Sequence, residues 1–184
     1  MVRRLFANWL VVVRCTVTAG LVLIATGCAT IHSPLELPEP EPHATALFLI
    51  SHGYGNNPSH WPARLIARIR DAGVDDGWQL YAHDWSANSL RALTASRAGY
   101  RIGRHFGGLL AERGHYRTIH LVGHSLGAFV MQGVVDAYRG AGGTATIQMT
   151  FLDPFLLRGW FGIGWGVRNF GRGADFAENY VVIG

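Results

Sequence analysis

From residue 46 onward, short apolar runs alternate with longer stretches in which apolar residues recur every three or four positions. Residues 46–51 (ALFLIS) are a continuous apolar run of strand length, ended by the turn-forming HGYGNNPSH. WPARLIARIRDAG follows, placing Trp61, Leu65, Ile66 and Ile69 on one helical face, with Pro62 in the first turn and Gly73 at the stop. WQLYAHDW (78–85) predicts a second strand. Residues 89–114 predict a helix with Leu90, Leu93, Phe106, Leu109 and Leu110 as apolar members and a break near Gly107 and Gly108. TIHLVGHS (118–125) predicts a third strand, and LGAFVMQGVVDAYRG a third helix with Phe129, Val130, Val134 and Tyr138 near one face and Gly140 at its end. TATIQMTFLDP predicts a fourth strand and ENYVVIG (178–184) a fifth. Strand and helix in alternation call for a mostly parallel sheet covered on both faces, because parallel neighbours need a crossover and the crossover supplies the helix. There is no internal repeat.

The first 45 residues follow other rules. MVRRLFANWLVVVR carries Arg3, Arg4 and Arg14; CTVTAGLVLIAT is an apolar run too short to span a bilayer comfortably; ATGC sets small residues before a cysteine. This is the layout of a secretory signal. A membrane-spanning or buried helix is the competing reading, against which Arg14 interrupts the apolar stretch. The order from Leu23 to Cys28 resembles a bacterial lipoprotein signal, although Ala25 stands where that family usually has a larger aliphatic residue. The resemblance implies removal of residues 1–27, lipidation of Cys28, and a chain exported to the bacterial envelope and held on a membrane. Ala29 supplies no obvious inner-membrane retention signal, so the outer membrane is expected. Residues 28–45, with four prolines and three glutamates after Cys28, read as an extended tether, or in their last few residues as an edge segment packed on the domain.

Composition narrows the function. At 184 residues, one domain is expected, covering 46–184. All basic residues are arginine, and removing residues 1–27 takes three of the sixteen and none of the twelve acids, so the formal charge falls from +4 to about +1. No clustered arginine face is expected to remain, and no nucleic-acid partner is implied. The other cysteine, Cys15, lies within the signal, so an exported mature chain has no internal disulfide. Neither cysteine has zinc-site neighbours, and no metal or organic cofactor is implied.

Ser125 lies in GHSLG (123–127), between a strand-like and a helix-like stretch. With 24 glycines in the chain the pattern alone is weak, but a nucleophile elbow needs this setting: a strand, a very tight turn, then a helix, so that the hydroxyl projects alone. Small residues at Gly123 and Gly127 let strand and helix approach around the turn. Four motifs in order, LFLISHGYGNNPSHW, AHDW, HLVGHSLGA and FLDP, resemble the α/β-hydrolase superfamily, and their pattern is similar to that of the pancreatic lipase group. The resemblance runs from Leu47 to about Pro154. It implies Ser125 as nucleophile, an oxyanion hole shaped by His52 and Gly53, and Asp153 as the acid that orients a histidine. The backbone N–H groups of Tyr54 and Leu126 would hold the oxyanion. His52 and His124 read as structural residues near the site, bonding to loop backbone or packing. Asp153 has a bland reading too, as a turn cap before Pro154, and Asp175 is a second candidate acid.

The general base is not found. All nine histidines come at or before His124, and residues 154–184 contain neither histidine nor lysine. The family places its histidine after a final strand, so the domain reads as incomplete, lacking that strand and the histidine loop. A permuted arrangement using an upstream histidine is a minor alternative. Three functions follow: an exported, lipid-anchored serine hydrolase of carboxylic esters, with ester or lipid as substrate; a non-catalytic module of the same fold binding an acyl ligand or a partner; or a truncated product. The Trp-, Phe- and Gly-rich segment 155–173 lies where lipases carry lid or substrate-binding elements, though core packing explains its composition equally well.

Overall fold

The computed structural model describes residues 30–182, apart from 92 and 159–161. The signal-like segment and Cys28 thus lie outside the described residues. Five strands form one parallel sheet in the order β2-β1-β3-β4-β5: β1 (Ala46–Ser51), β2 (Trp78–His83), β3 (Thr118–His124), β4 (Thr146–Leu152) and β5 (Phe176–Tyr180). The crossovers carry α1 (Trp61–Asp71), the short α2 (Ser86–Ser89), α3 (Ala95–Arg113), α4 (Gly127–Gly140) and the short α5 (Trp165–Asn169).

The period-2 geometry of the strands sorts their side chains onto two faces. Leu47, Leu49, Ile119, Leu121, Ile147 and Met149 face α3 and α4 in the main core. On the other face Phe48, Ile50 and Val122 meet the predicted stripe of α1, Trp61, Leu65, Ile66 and Ile69. Further along that face the side chains turn polar. His120 Nε2 lies 2.8 Å from Thr150 Oγ1, Thr150 donates to Glu178 at 2.7 Å, and Tyr180 donates to Glu178 at 3.1 Å. The threonine proton is committed to Glu178, so His120 Nε2 is the donor in the first bond.

The structure corrects three expectations. The helix predicted over 89–114 begins at Ala95, after a separate turn of helix, and runs unbroken through Gly107 and Gly108. Gly103 and Gly107 are contact points: a Cβ at either would run into the α4 backbone, at the carbonyls of Val130 and Val134. The fifth strand is 176–180, not 178–184, because β4 ends at Leu152, where Asp153 turns to φ 46°, and no ladder partner remains beyond Tyr180.

The third correction concerns the segment expected to be a tether. From residue 31 it lies against the domain: His32 and Ser33 donate backbone N–H groups to Asn88 Oδ1, Glu41 N–H donates to Gln79 Oε1, and Gln79 Nε2 donates to the Glu39 carbonyl. Leu37 and Ala44 are buried, and Arg113 donates to the Pro38 carbonyl at 2.8 Å. Prolines suit such a strap, since it runs extended and finds its partners in side chains rather than a ladder.

Candidate active site

All five strands are parallel, so the loops leaving their C-terminal ends gather at one end of the sheet. The register sets Ser51, Gly123, Phe151 and Asn179 side by side, which brings the 52–55 loop, Ser125 and Asp153 to that end together. Ser125 sits between β3 and α4 at φ 49°, a left-handed conformation that a non-glycine residue adopts only when its surroundings hold it there. The turn is held on both sides. Its N–H donates to the Leu152 carbonyl at 3.0 Å, and its carbonyl accepts from Phe155 at 3.1 Å and Ala128 at 3.2 Å. Gly127 sits where a Cβ would strike the carbonyls of Ser51 and His52, and a Cβ at Gly123 would come within 2.9 Å of Ala128 N and Cα. Both glycines are therefore required by close approach around the elbow.

The oxyanion-loop candidates are built against the serine. A Cβ on Gly53 would lie 2.9 Å from Ser125 Cβ and 2.8 Å from His124 Nδ1, so the loop backbone touches both residues. His52 is fully buried. Its Nδ1–H donates to the Gly53 carbonyl at 3.0 Å, its Nε2 accepts the Trp85 N–H at 3.5 Å, and Trp85 Nε1–H returns to the His52 carbonyl at 2.8 Å. This pattern fixes the Nδ1–H tautomer. Burial pushes the imidazole pKa down, against the raising effects of the Gly53 carbonyl and of Asp84, 3.8 Å from Nε2. With both nitrogens occupied, His52 is a bracket for the loop. Because the Gly53–Tyr54 peptide is trans, turning its carbonyl toward His52 turns the Tyr54 N–H the opposite way. The Tyr54 side chain itself is exposed, and Leu126 is buried at the first turn of α4.

Asp153 follows β4 directly, exposed, with its N–H donating to the Tyr180 carbonyl at 2.7 Å. Among the described residues no histidine hydrogen-bonds to its carboxylate or to Ser125 Oγ. His124 is the imidazole whose charge balance it enters: burial lowers the His124 pKa and Asp153 opposes the shift. The His124 ring stands edge-on to Trp61, with centroids 5.7 Å apart, and its buried Nδ1 has no partner among the described residues. Asp175 belongs elsewhere, since it precedes β5 at the opposite end of the sheet and binds Arg139 and the Ile147 N–H, both at 2.7 Å. Asp136 accepts from Tyr100 and Gln132 on the α3–α4 side.

One feature of the site was not visible in the sequence. Beside Asp153 a crevice of about 380 Å³ opens between β5 and α5, lined mainly by Phe151, Pro154, Leu156, Val167 and Phe170. Its far wall is part of the aromatic packing of the 155–173 segment: Phe170 stacks on Phe151 at 5.1 Å, and Trp165 on Phe129 at 5.3 Å. The aromatic content of that segment hinted at packing, but only the return of the chain over β4 shows which residues leave a gap.

Known proteins resemble this arrangement. Residues 47–181 match the alpha/beta hydrolase family. Among solved structures, a protein named as a cell surface hydrolase from Lactobacillus plantarum WCFS1 aligns with a TM-score of 0.51 at 7% identity, covering 78% of this chain and 84% of that one. RedJ, solved with a PEG molecule in its active site, is 19% identical over 72% of this chain and 54% of its own, with a TM-score of 0.40. At such identities the likeness to the first is one of fold, and the second carries no argument. No curated protein matches the chain. The family match runs from the second residue of β1 to just past the end of β5 and so takes in the whole sheet: the chain belongs to the alpha/beta hydrolase family.

Proposed function

We propose that the protein is a serine hydrolase of carboxylic esters, working through an acyl-enzyme on Ser125. The observation that carries this reading is the strained φ of Ser125 in a turn walled by the Gly53 backbone, since strain at a non-glycine residue persists where the surroundings over-determine it for a purpose. The Ser125 hydroxyl attacks the ester carbonyl, the Tyr54 and Leu126 N–H groups receive the oxyanion, and the alkoxide leaves with a proton. Each oxyanion donor is typically worth about 3 kcal/mol of barrier. Asp153 orients the imidazolium that this proton transfer creates. The histidine of that step is not assigned to any of the nine in the chain. The apolar crevice beside Asp153 takes the acyl group. The chain is exported and anchored through a lipid on Cys28, in keeping with the cell-surface name of its structural neighbour.

A second reading has its own support. His52 has both nitrogens engaged, and no histidine follows Asp153, which favours a module that keeps the elbow and crevice to bind an acyl ligand without turnover. A fluorophosphonate probe separates the two: rapid labelling of the wild type that is lost in Ser125→Ala supports the hydrolase, whereas absence of labelling leaves the binding module.

A further inference from the structure

The near-neutral net charge conceals a strong segregation. Residues 85–111 carry four arginines and no acid, and residues 154–174 carry three arginines and no acid, although the chain has twelve acids. The fold joins these two stretches. Arg158 sits with its guanidinium 4.2 Å from the centre of the Tyr100 ring on α3 and 4.8 Å from that of Trp165 on α5, so one cation clamps the loop after β4 to the start of α3. Arg97 and Arg104 stand close enough to Arg158 to disfavour its charge, while Asp136, held by Tyr100, partly offsets them. The expectation that no arginine-rich face remains outside the signal is therefore corrected.

Large apolar side chains are exposed across the same surface. Leu90 is 59% exposed and Leu93 62%, just ahead of α3; Ile163 is 74% and Val167 73% exposed, at the start of α5, with Phe155 and Leu157 partly open between β4 and Arg158. Exposed apolar groups among cations and away from acids match a surface that is anionic outside and apolar beneath. The acids nearest to it, Asp84, Asp136 and Asp153, are outnumbered by the arginines. Nucleic acid fits less well, because the exposed residues of this patch are mainly aliphatic, and stacking on bases needs aromatic faces.

We infer that this arginine and aliphatic face, built from residues 90–104 and 155–168, docks on an anionic phospholipid surface independently of any lipid on Cys28. Leu93 and Ile163 enter the acyl boundary while Arg97 and Arg104 meet lipid phosphates. The inference does not rest on Ser125 being a nucleophile.

The test is co-sedimentation of the full-length chain carrying Cys28→Ser with phosphatidylcholine vesicles, with and without phosphatidylglycerol, at low and high salt. Residues 1–27 are common to every protein compared. Binding is expected to prefer the anionic vesicles, to weaken with salt, and to fall about fivefold for each arginine neutralised in Arg97→Gln and Arg104→Gln. Leu93→Ser with Ile163→Ser removes the part that survives salt. Equal binding to the two vesicle types overturns the inference, as do variants that bind like the parent, or a DNA duplex whose binding is lost in the arginine variants while vesicle binding persists. Far-UV circular dichroism checks the fold of each variant, and if one misfolds, salt-insensitive binding of the parent to anionic vesicles is by itself enough to overturn the inference.

Discussion

His83→Leu should make the protein more resistant to acid. His83 ends β2, opposite Ser51 in the ladder, 1% exposed, with its ring edge-on to Phe106 at 4.6 Å. Neither ring nitrogen has a hydrogen-bond partner among the described residues. Burial pushes its pKa from 6.5 down to about 4, helped by His52 and opposed by Asp84. The unfolded chain, with the higher pKa, takes up the proton first. The stability contributed by the neutral ring is thus full above pH 6.5 and drains away as pH falls toward 4. A shift of that size corresponds to about 3 kcal/mol over the window, at about 1.4 kcal/mol per unit.

Leucine keeps the apolar volume beside Phe106 and has no proton to take up, so its stability lacks this dependence. Urea unfolding followed by circular dichroism at pH 7.5, 6.5, 5.5 and 4.5 should show the His83→Leu protein gaining on wild type by about 2 kcal/mol between the first pH and the last. His52, His120 and His124 are also shifted down by burial, but they act equally in both proteins and cancel in the difference. Parallel stability curves for the two proteins would refute the reasoning, because they would mean that the ring reaches water or a partner in the folded state.

Three further outcomes are expected. Gly127→Ala forces the elbow against the Ser51 and His52 carbonyls and should cost about 1–3 kcal/mol, seen as a fall in Tm of several degrees; an unchanged melting curve would contradict the packing. Gln132→Leu removes the side chain that bonds Asp136, the Arg172 carbonyl and the Gly171 N–H, so hydrogen exchange over residues 162–174 should accelerate by about tenfold or more while β1 and β3 stay protected. Cys28→Ser should abolish radiolabelled palmitate incorporation and shift the protein out of the membrane fraction, and unaltered labelling would end the lipoprotein reading.

Much of the sheet was legible because each strand is a short apolar run whose neighbours in sequence mark its ends. ALFLIS and the α1 stripe fell where the pattern put them, since burial on one or both faces leaves a period that a sequence shows. The misreadings share a cause in contacts made far along the chain. Gly103 and Gly107 look like helix breakers until Val130 and Val134 lie against them, and the proline-rich strap looks solvated until Asn88 and Gln79 supply its acceptors. Strand β5 was displaced because its extent is set by the register with β4 and by the turn at Asp153, not by its own apolar residues. In the candidate site the backbone features were the readable ones, as a tight turn writes itself in glycines. The crevice and the arginine clamp depend on which aromatic side chains meet, and composition carries no such information.

The histidines decide how far the chemistry can be carried by these residues. His83 and His52 are buried and respectively unpartnered and fully occupied; His120 donates to Thr150; His105 and His115 lie 3.1 and 3.3 Å from the carbonyls of Leu35 and Glu41 on the strap. His60 is bonded to Asn56 in the loop before α1, while His32 and His43 belong to the strap itself. His124 alone adjoins both Ser125 and Asp153. Its ring lies on the α1 side of β3 against Trp61, where it packs rather than reaches over the turn. His124→Gln is accordingly expected to slow fluorophosphonate labelling of Ser125 by less than about tenfold, against complete loss in Ser125→Ala. Loss of a true triad member costs several orders of magnitude in rate, so the two roles are well separated by this assay. Labelling abolished by His124→Gln in a protein with an unchanged circular dichroism spectrum would make His124 the base and overturn its reading as a packing residue.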